Sequence, residues 1–343
     1  MKLIALFLAL MLLLAGCGAP SAVAPSSSFA PPAVVSSSSL SEAPSSSSEA
    51  VPVADADRYA EVFDSAADAG KLTIRFLKLT STDPETKSGD SSIITFPDGK
   101  VMLVDAGNPT CGETVVAALK AMGVTKLDAI LNSHPHVDHL GGFPAVIEAF
   151  PVEMIYRSKL TYSSNPSNDF EAAVAKTGLP VTYLQEGDKF DFGGTSIEIF
   201  NPIPDLVYPA NYPKGATQFI NNNSLLMKIT YGKSTMLLGG DLYTPGEDRV
   251  MKAYGDRLQA DVVKANHHGD ATSNSRAYIR TIKPKICVMM HDAIASLDVY
   301  KSYRKYEAAT YLTYLDGCVK VAADDAANYT TLTQFDRKSD FLK

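Results

Sequence analysis

Long apolar runs are scarce in this 343-residue chain. One lies at the start, at residues 3–14, and no later stretch is long and apolar enough to span a bilayer. Basic runs are missing too. The formal net charge is −7, and no cluster of Lys or Arg supplies the electrostatic face of a nucleic-acid binder, which weighs against DNA or RNA as substrate. Cysteine is rare, with four in all, and none is spaced like a zinc-binding Cys pair. A closed structural zinc site built on thiolates is therefore excluded. With Cys17 set apart, Cys111, Cys287 and Cys318 remain, an odd number that cannot all pair within the chain. Cys287 lies in the apolar run 286–290 and reads as a small packed residue. A Cys111–Cys318 bridge is one arrangement that the count leaves open.

Histidine is as scarce, with six residues, but its placement is not scattered. His134, His136 and His139 stand in one short segment together with Asp138, and His267 and His268 are adjacent. His291 stands apart, after an apolar run. Four imidazole and carboxylate groups within six positions suit Zn²⁺ or a neighbouring first-row metal such as Mn. A metal-dependent hydrolase is the first reading of that density.

The two ends of the chain differ in character. Lys2, the apolar stretch 3–14 and Leu14-Ala15-Gly16-Cys17 form a secretory leader, residues 1–17. The small residues before Cys17 resemble the processing box of bacterial lipoproteins. That resemblance implies cleavage before Cys17, a lipid on its sulfur, and a tether to the outer face of the cytoplasmic membrane. An ordinary signal peptide with an incidental Cys is the plainer alternative. Residues 18–57 are almost wholly Ser, Ala, Pro, Val and Glu, a composition that cannot bury enough apolar area to order itself, and read as a flexible stalk. Residues 58–343 have the composition and size of one globular domain.

Within that domain, apolar strand patterns alternate with amphipathic helices. Strands are expected at 72–80, 92–96, 101–104, 128–132, 153–156, 181–184, 195–200, 225–231, 235–238, 261–265, 286–290 and 329–334. Helices are expected at 113–122, 142–150, 169–176 and 273–282. Residues 201–223 are rich in Pro and Asn and read as a long irregular loop. Each candidate ligand falls just past the end of a strand, where layered α/β domains place their chemistry.

The segment Ser133-His134-Pro135-His136-Val137-Asp138-His139-Leu140-Gly141-Gly142 resembles the signature of the metallo-β-lactamase-fold superfamily. Supporting segments follow in the expected order: Gly89-Asp90-Ser91, Leu103-Val104-Asp105-Ala106-Gly107, Asn223-Ser224-Leu225 leading to Leu238-Gly239-Gly240-Asp241, and Lys264-Ala265-Asn266-His267-His268-Gly269. The match covers roughly residues 72–335. It is nearest to the hydrolase domain of ComEC-type DNA-uptake proteins and to the phosphorylcholine esterase that trims teichoic acids.

The resemblance implies an α/β fold, an αββα four-layer sandwich of two β-sheets flanked by helices. It implies two zinc sites: His134 and His136 on the first, Asp138 and His139 on the second, Asp241 bridging both and His267 completing the second. Asp138 and His268 take catalytic roles, with His268 lining the pocket to bond substrate or protonate a leaving oxygen. His291 and Asn223 are candidate substrate contacts, and Asp105 braces the metal loop. The family often has a further His on the first site. None occurs between His139 and His267, so that site is completed by water or an Asn oxygen, or is only partly occupied.

Paired metals lower the pKa of a shared water from about 15.7 toward about 7, and the hydroxide then attacks phosphorus or a carbonyl carbon. A phosphodiester of the cell wall, such as teichoic-acid phosphocholine, suits the outside location. An extracellular nuclease of DNA uptake and a non-catalytic metal- or phosphate-binding lipoprotein are the alternatives.

Overall fold

A computed structural model describes residues 57–83, 85–212 and 216–337. The expected leader 1–17, its Cys17 and positions 18–56 of the stalk lie outside the described residues. Among the described residues no helix is long and apolar enough to cross a membrane.

Strict alternation along the strands builds two sheets that share one core. The first sheet has eight strands, in edge-to-edge order Tyr329–Thr333, Val319–Ala323, Leu72–Phe76, Ser92–Thr95, Val101–Val104, Ala129–Asn132, Ile155–Arg157 and Val181–Tyr183. The second has seven: Ala309–Leu312, Ile286–Met289, Val262–Lys264, Ser234–Gly239, Leu226–Tyr231, Thr195–Asn201 and Lys189–Phe192. Met102, Val104, Ala129 and Leu131 face the inter-sheet core, where Met236, Leu238, Val262 and Val288 of the other sheet meet them. The alternate positions Leu103 and Ile130 turn outward, onto the helices Gly112–Ala121, Phe143–Ala149 and Asn165–Thr177. Leu237, Val263 and Cys287 likewise turn onto Thr244–Tyr254, Arg276–Ile282 and Leu297–Lys305. The central strands thus bury both faces, and the layers are helix, sheet, sheet, helix.

The parallel strands set where the site lies. Val101–Val104 pairs parallel with Ala129–Asn132, and Ser234–Gly239 pairs parallel with Val262–Lys264, which pairs parallel with Ile286–Met289. Their C-terminal ends deliver Asp105, His134, Asp241, His267, His268 and His291 to one rim of the sandwich.

Several element boundaries differ from the sequence expectation. The strand expected at 72–80 stops at Phe76. The helix expected at 169–176 begins at Asn165, behind a Ser164 cap that accepts from Ser167 N. The loop expected over 201–223 contains a helix, Ala216–Asn222. The helices Thr244–Tyr254 and Leu297–Lys305 and the strands Lys189–Phe192, Ala309–Leu312 and Val319–Ala323 were not expected from sequence pattern. No disulfide joins Cys111 to Cys318; both are free and buried, as is Cys287.

Candidate metal centre

The strand Ala129–Asn132 runs into a turn at Ser133 and then into the one-turn helix Val137–Leu140. That path puts His134 and His136 on either side of Pro135, and Asp138 and His139 in the helix. His134 Nε2 comes within 3.0 Å of His136 Nδ1. Gly89 lets its loop pack directly on the Asp138 backbone: its φ is +80°, and a Cβ there would sit 1.6 Å from the Asp138 carbonyl oxygen. The next residue, Asp90, donates its N–H to that same carbonyl at 3.1 Å.

Three buried imidazoles have their outer nitrogens tied. His134 Nδ1 lies 3.0 Å from Ser133 Oγ. His139 Nδ1 lies 2.8 Å from Asp105 Oδ2. His268 Nδ1 lies 2.9 Å from Asp90 Oδ1. Such outer contacts fix ring orientation and tautomer. Each ring then turns Nε2 toward Asp241: His139 Nε2 to Oδ1 at 3.2 Å, His268 Nε2 to Oδ2 at 3.4 Å, and His134 Nε2 to Oδ2 at 3.7 Å. His268 Nε2 also lies 3.2 Å from Asp138 Oδ2.

These inward atoms suit a metal. His139 Nε2, His268 Nε2 and Asp241 Oδ1 are buried without hydrogen-bond partners, a state that folded proteins rarely tolerate without a use for it. Two groups of donors share Asp241: His134, His136 and Asp241, and Asp90, His139, Asp241 and His268. Within the second, Asp90 is already engaged by His268 on one oxygen and by the Lys264 ammonium on the other. It serves as an outer brace. Nitrogen and carboxylate donors around a shared acid fit a first-row divalent ion.

The charge balance points the same way. Asp90, Asp241 and Asp105 all favour charge on the buried Lys264 ammonium, which also donates to the Gly239 carbonyl at 2.9 Å. Burial opposes charge on His139, but Asp241, Asp105 and Asp138 outweigh it and push the ring up to about 10. His268 is held well above its ordinary range by Asp241 and Asp90, against the same burial. Burial, reinforced by His139, holds His134 well below its ordinary range. Protons on His139 and His268 thus compensate the carboxylates where no cation does.

The assignment of the paired histidines reverses. Sequence placed His267 on the second site and His268 in the pocket wall. Geometry puts the ring of His268 beside His139, with centroids 5.2 Å apart, and leaves His267 at the rim, its Nε2 3.9 Å from Asp241. The His268 side chain is 1 % exposed and that of His267 12 %. The cause is backbone: both residues are left-handed, at φ 45° and 58°, a conformation that costs non-glycine residues roughly 1–2 kcal/mol each. The turn aims the second ring inward, while His267 Nδ1 goes to Thr272 Oγ1 at 2.5 Å.

The remaining expected residues are less central. The His291 ring packs edge-on to His268 at 5.8 Å, and its Nδ1 accepts from Ala293 N. Asn223 does not turn into the cluster; its amide nitrogen donates to the Phe219 carbonyl at 2.9 Å. Tyr208, Tyr212 and Phe219 pack on one another, with Tyr208 4.8 and 4.9 Å from the other two rings. Tyr162 links that group to the site, its ring 5.8 Å from His136. Sequence reasoning gave no individual role to Asp90 or Lys264. A lysine at the end of the apolar strand Val262–Lys264 was the one available signal, since a buried cation requires a partner.

Residues 85–207 match the model of the Metallo-beta-lactamase superfamily. The two sheets flanked by helices are consistent with the metallo-β-lactamase fold. Superfamily membership is supported by that match and by relatives at low identity. ComE operon protein 3 of Bacillus subtilis is 27% identical over 180 residues, which are 52% of this chain and 22% of that protein. Competence protein ComA of Neisseria gonorrhoeae is 26% identical over 198 residues, 57% of this chain and 25% of that protein. The chain thus spans about a quarter of the length of these relatives. Among solved structures, the metallo-beta-lactamase fold protein YhfI from Bacillus subtilis aligns with a TM-score of 0.46 at 14% identity, over 76% of this chain and 100% of that one. Metallo-β-lactamase folds are generally metal-dependent hydrolases, and the His/Asp cluster described above is one that could hold a divalent ion.

Proposed function

We propose that this chain is a metal-dependent hydrolase of phosphodiester bonds, held outside the cytoplasmic membrane by a lipid on Cys17. One observation carries the reading: the unpartnered Nε2 atoms of His139 and His268 converge with His134 on Asp241, at a rim where His136 and Asp138 are partly open. Divalent metal bound there would supply Lewis acidity and an activated water.

The chain's own groups divide the remaining work. Asp241 holds both donor groups in one frame. Asp138, its side chain 14 % exposed beside His268, stands where it can orient an attacking water or take its proton. His267 and His291, at the mouth, are placed to meet the anionic oxygens or the leaving group of a diester. A wall polymer bearing phosphocholine is a reachable substrate for a tethered enzyme. The relative named competence protein ComA, together with the resemblance to ComEC-type DNA-uptake proteins, favours a second reading in which the diester belongs to DNA.

The test is activity of the full chain, loaded with Zn²⁺ or Mn²⁺, against bis-p-nitrophenyl phosphate, p-nitrophenyl phosphocholine and single- and double-stranded DNA, with metal analysis of the same sample. Turnover that a chelator abolishes and metal restores is the expected result. DNA cleavage without turnover of the choline ester selects the second reading. Bound metal with no turnover on any of them rejects catalysis and leaves a binding lipoprotein. Loss of membrane association in Cys17→Ser tests the tether separately.

A further inference from the structure

The helix that follows Asp241 carries a buried acid that the chemistry above does not use. Glu247 is fully buried on Thr244–Tyr254, and no Lys or Arg among the described residues forms an ion pair with it. Burial pushes its carboxyl up from the ordinary range. An uncompensated carboxylate in the interior is costly unless N–H groups surround it. Here they do: Oε1 accepts from Asn266 Nδ2 at 3.0 Å and from Asn274 N at 2.6 Å, and Oε2 accepts from Ser275 N at 2.9 Å.

All three donors belong to the segment that carries His267 and His268. Asn274 reaches back across it, accepting from Asn266 N at 3.0 Å and donating to Asn266 O at 2.8 Å and to Asp270 O at 3.2 Å. Tyr303 Oη donates to the same Asn274 oxygen at 3.0 Å. At its start the helix takes hold of the segment again, Thr244 N and Oγ1 both donating to the Thr272 carbonyl. A strained left-handed pair persists only where its surroundings over-determine it, and these bonds close both ends of the turn.

We propose that Glu247 is a positioning residue for the second metal group. Through Asn266 and Asn274 it holds the His267–His268 turn left-handed, and so aims His268 Nε2 at Asp241. The helix bearing Glu247 starts three residues after Asp241, so one rigid element sets both the shared acid and the ring that faces it. The inference rests on the metal-centre reading above and concerns affinity at one of its two donor groups.

The experiment is competitive titration of metal-free full-length protein with Zn²⁺ against a chromophoric chelator, repeated with Co²⁺ to read its visible spectrum. Wild type, Glu247→Gln, Glu247→Asp and Asn274→Gly are compared. Glu247→Gln is near-isosteric but presents an N–H to Ser275 N–H. Asn274→Gly keeps the φ of +62° while deleting the cross-links. The expected result is one Zn²⁺ equivalent bound as in wild type and a second weakened about 10- to 100-fold. The Co²⁺ spectrum of the weakened equivalent should change, with Glu247→Asp recovering part of the loss. Melting of the metal-free proteins reports whether each variant folds; if Glu247→Gln does not, Asn274→Gly must show the same selective loss. Two equivalents at wild-type affinity in a folded Glu247→Gln or Asn274→Gly overturn the proposal and leave the metal-centre reading standing. Wild type that takes up no metal overturns both.

Discussion

The Nδ1 of His139 lies 2.8 Å from Oδ2 of Asp105, a residue at the end of the neighbouring parallel strand Val101–Val104 and 34 positions back in sequence. Asp105 also accepts from Ser133 N at 2.7 Å, Ser133 Oγ at 2.6 Å and Asn132 Nδ2 at 3.1 Å. One buried carboxylate therefore fixes the exit of the strand Ala129–Asn132 and one imidazole of the cluster. Asp105→Ala should leave those donors without an acceptor, at about 1–3 kcal/mol for each one left buried and unpaired. Metal affinity should fall about 10- to 100-fold. Metal analysis after dialysis and a chemical melt check both; unchanged metal content would remove Asp105 from the site.

The reversal at the paired histidines separates two variants that sequence alone would rank the other way. Asn tolerates the left-handed backbone better than most residues, so His267→Asn and His268→Asn remove a ring without adding strain. His268→Asn should lose metal from the second group and most activity. His267→Asn should keep its metal and change KM more than kcat. Equal metal loss in both would mean that the left-handed turn does not hold in solution.

Much of the centre was legible because of rarity and position. Six histidines, five of them in two clusters at strand ends, announce a site before any fold is known. The strand pattern was equally open, since residues such as Leu103 and Met102 alternate between two apolar environments. What stayed hidden depends on backbone conformation and on contacts far apart in sequence. No pattern shows that His267 and His268 take positive φ, and the way that turn presents the two rings to Asp241 is not visible without it. Asp90 meets His268 across 178 positions. The helix Thr244–Tyr254 buries little along its length beyond Gly246, Glu247 and Val250, so its apolar stripe is too thin to detect. In Ala216–Asn222 the Asn residues are weak helix formers, and tertiary packing of Ala216 and Ile220 overrides them.

Proton bookkeeping gives a pH prediction with a definite sign. Asp241, Asp105 and Asp138 hold the His139 ring up to about 10 despite its burial, so the metal-free chain carries that proton at neutral pH. A metal ligand must be neutral imidazole. Metal uptake at pH 7 should therefore release protons, read with an indicator dye in weak buffer, and apparent affinity should rise with pH. Because the folded value lies above the ordinary 6.5, this proton stabilises the metal-free fold fully below about 6.5 and progressively less as pH climbs toward about 10. The melting temperature of the metal-free chain should fall over that window, and bound metal should flatten the fall. Metal uptake without proton release would contradict the charge balance drawn for the cluster.

The three cysteines of the folded part supply a test that needs no metal or substrate. Burial pushes Cys318 up to about 11 and Cys287 well above the thiol range, and it raises Cys111 as well. Thiolate is the reactive form, so little of it is present at pH 8. Cys111 and Cys318 also lie within the apolar layer between the first sheet and its helices, where a reagent reaches them only through opening of the structure. Native protein treated with iodoacetamide at pH 8 should show all three unmodified in a peptide map, and denatured protein should show all three labelled. Rapid labelling of Cys318 in the native state would mean that the strand Val319–Ala323 and the edge strand Tyr329–Thr333 beside it open readily. A Cys111–Cys318 cross-linked peptide would contradict this fold, in which both thiols are free: Cys318 Sγ accepts from Lys78 N at 3.2 Å, and Cys111 Sγ turns to the Thr80 carbonyl at 3.7 Å.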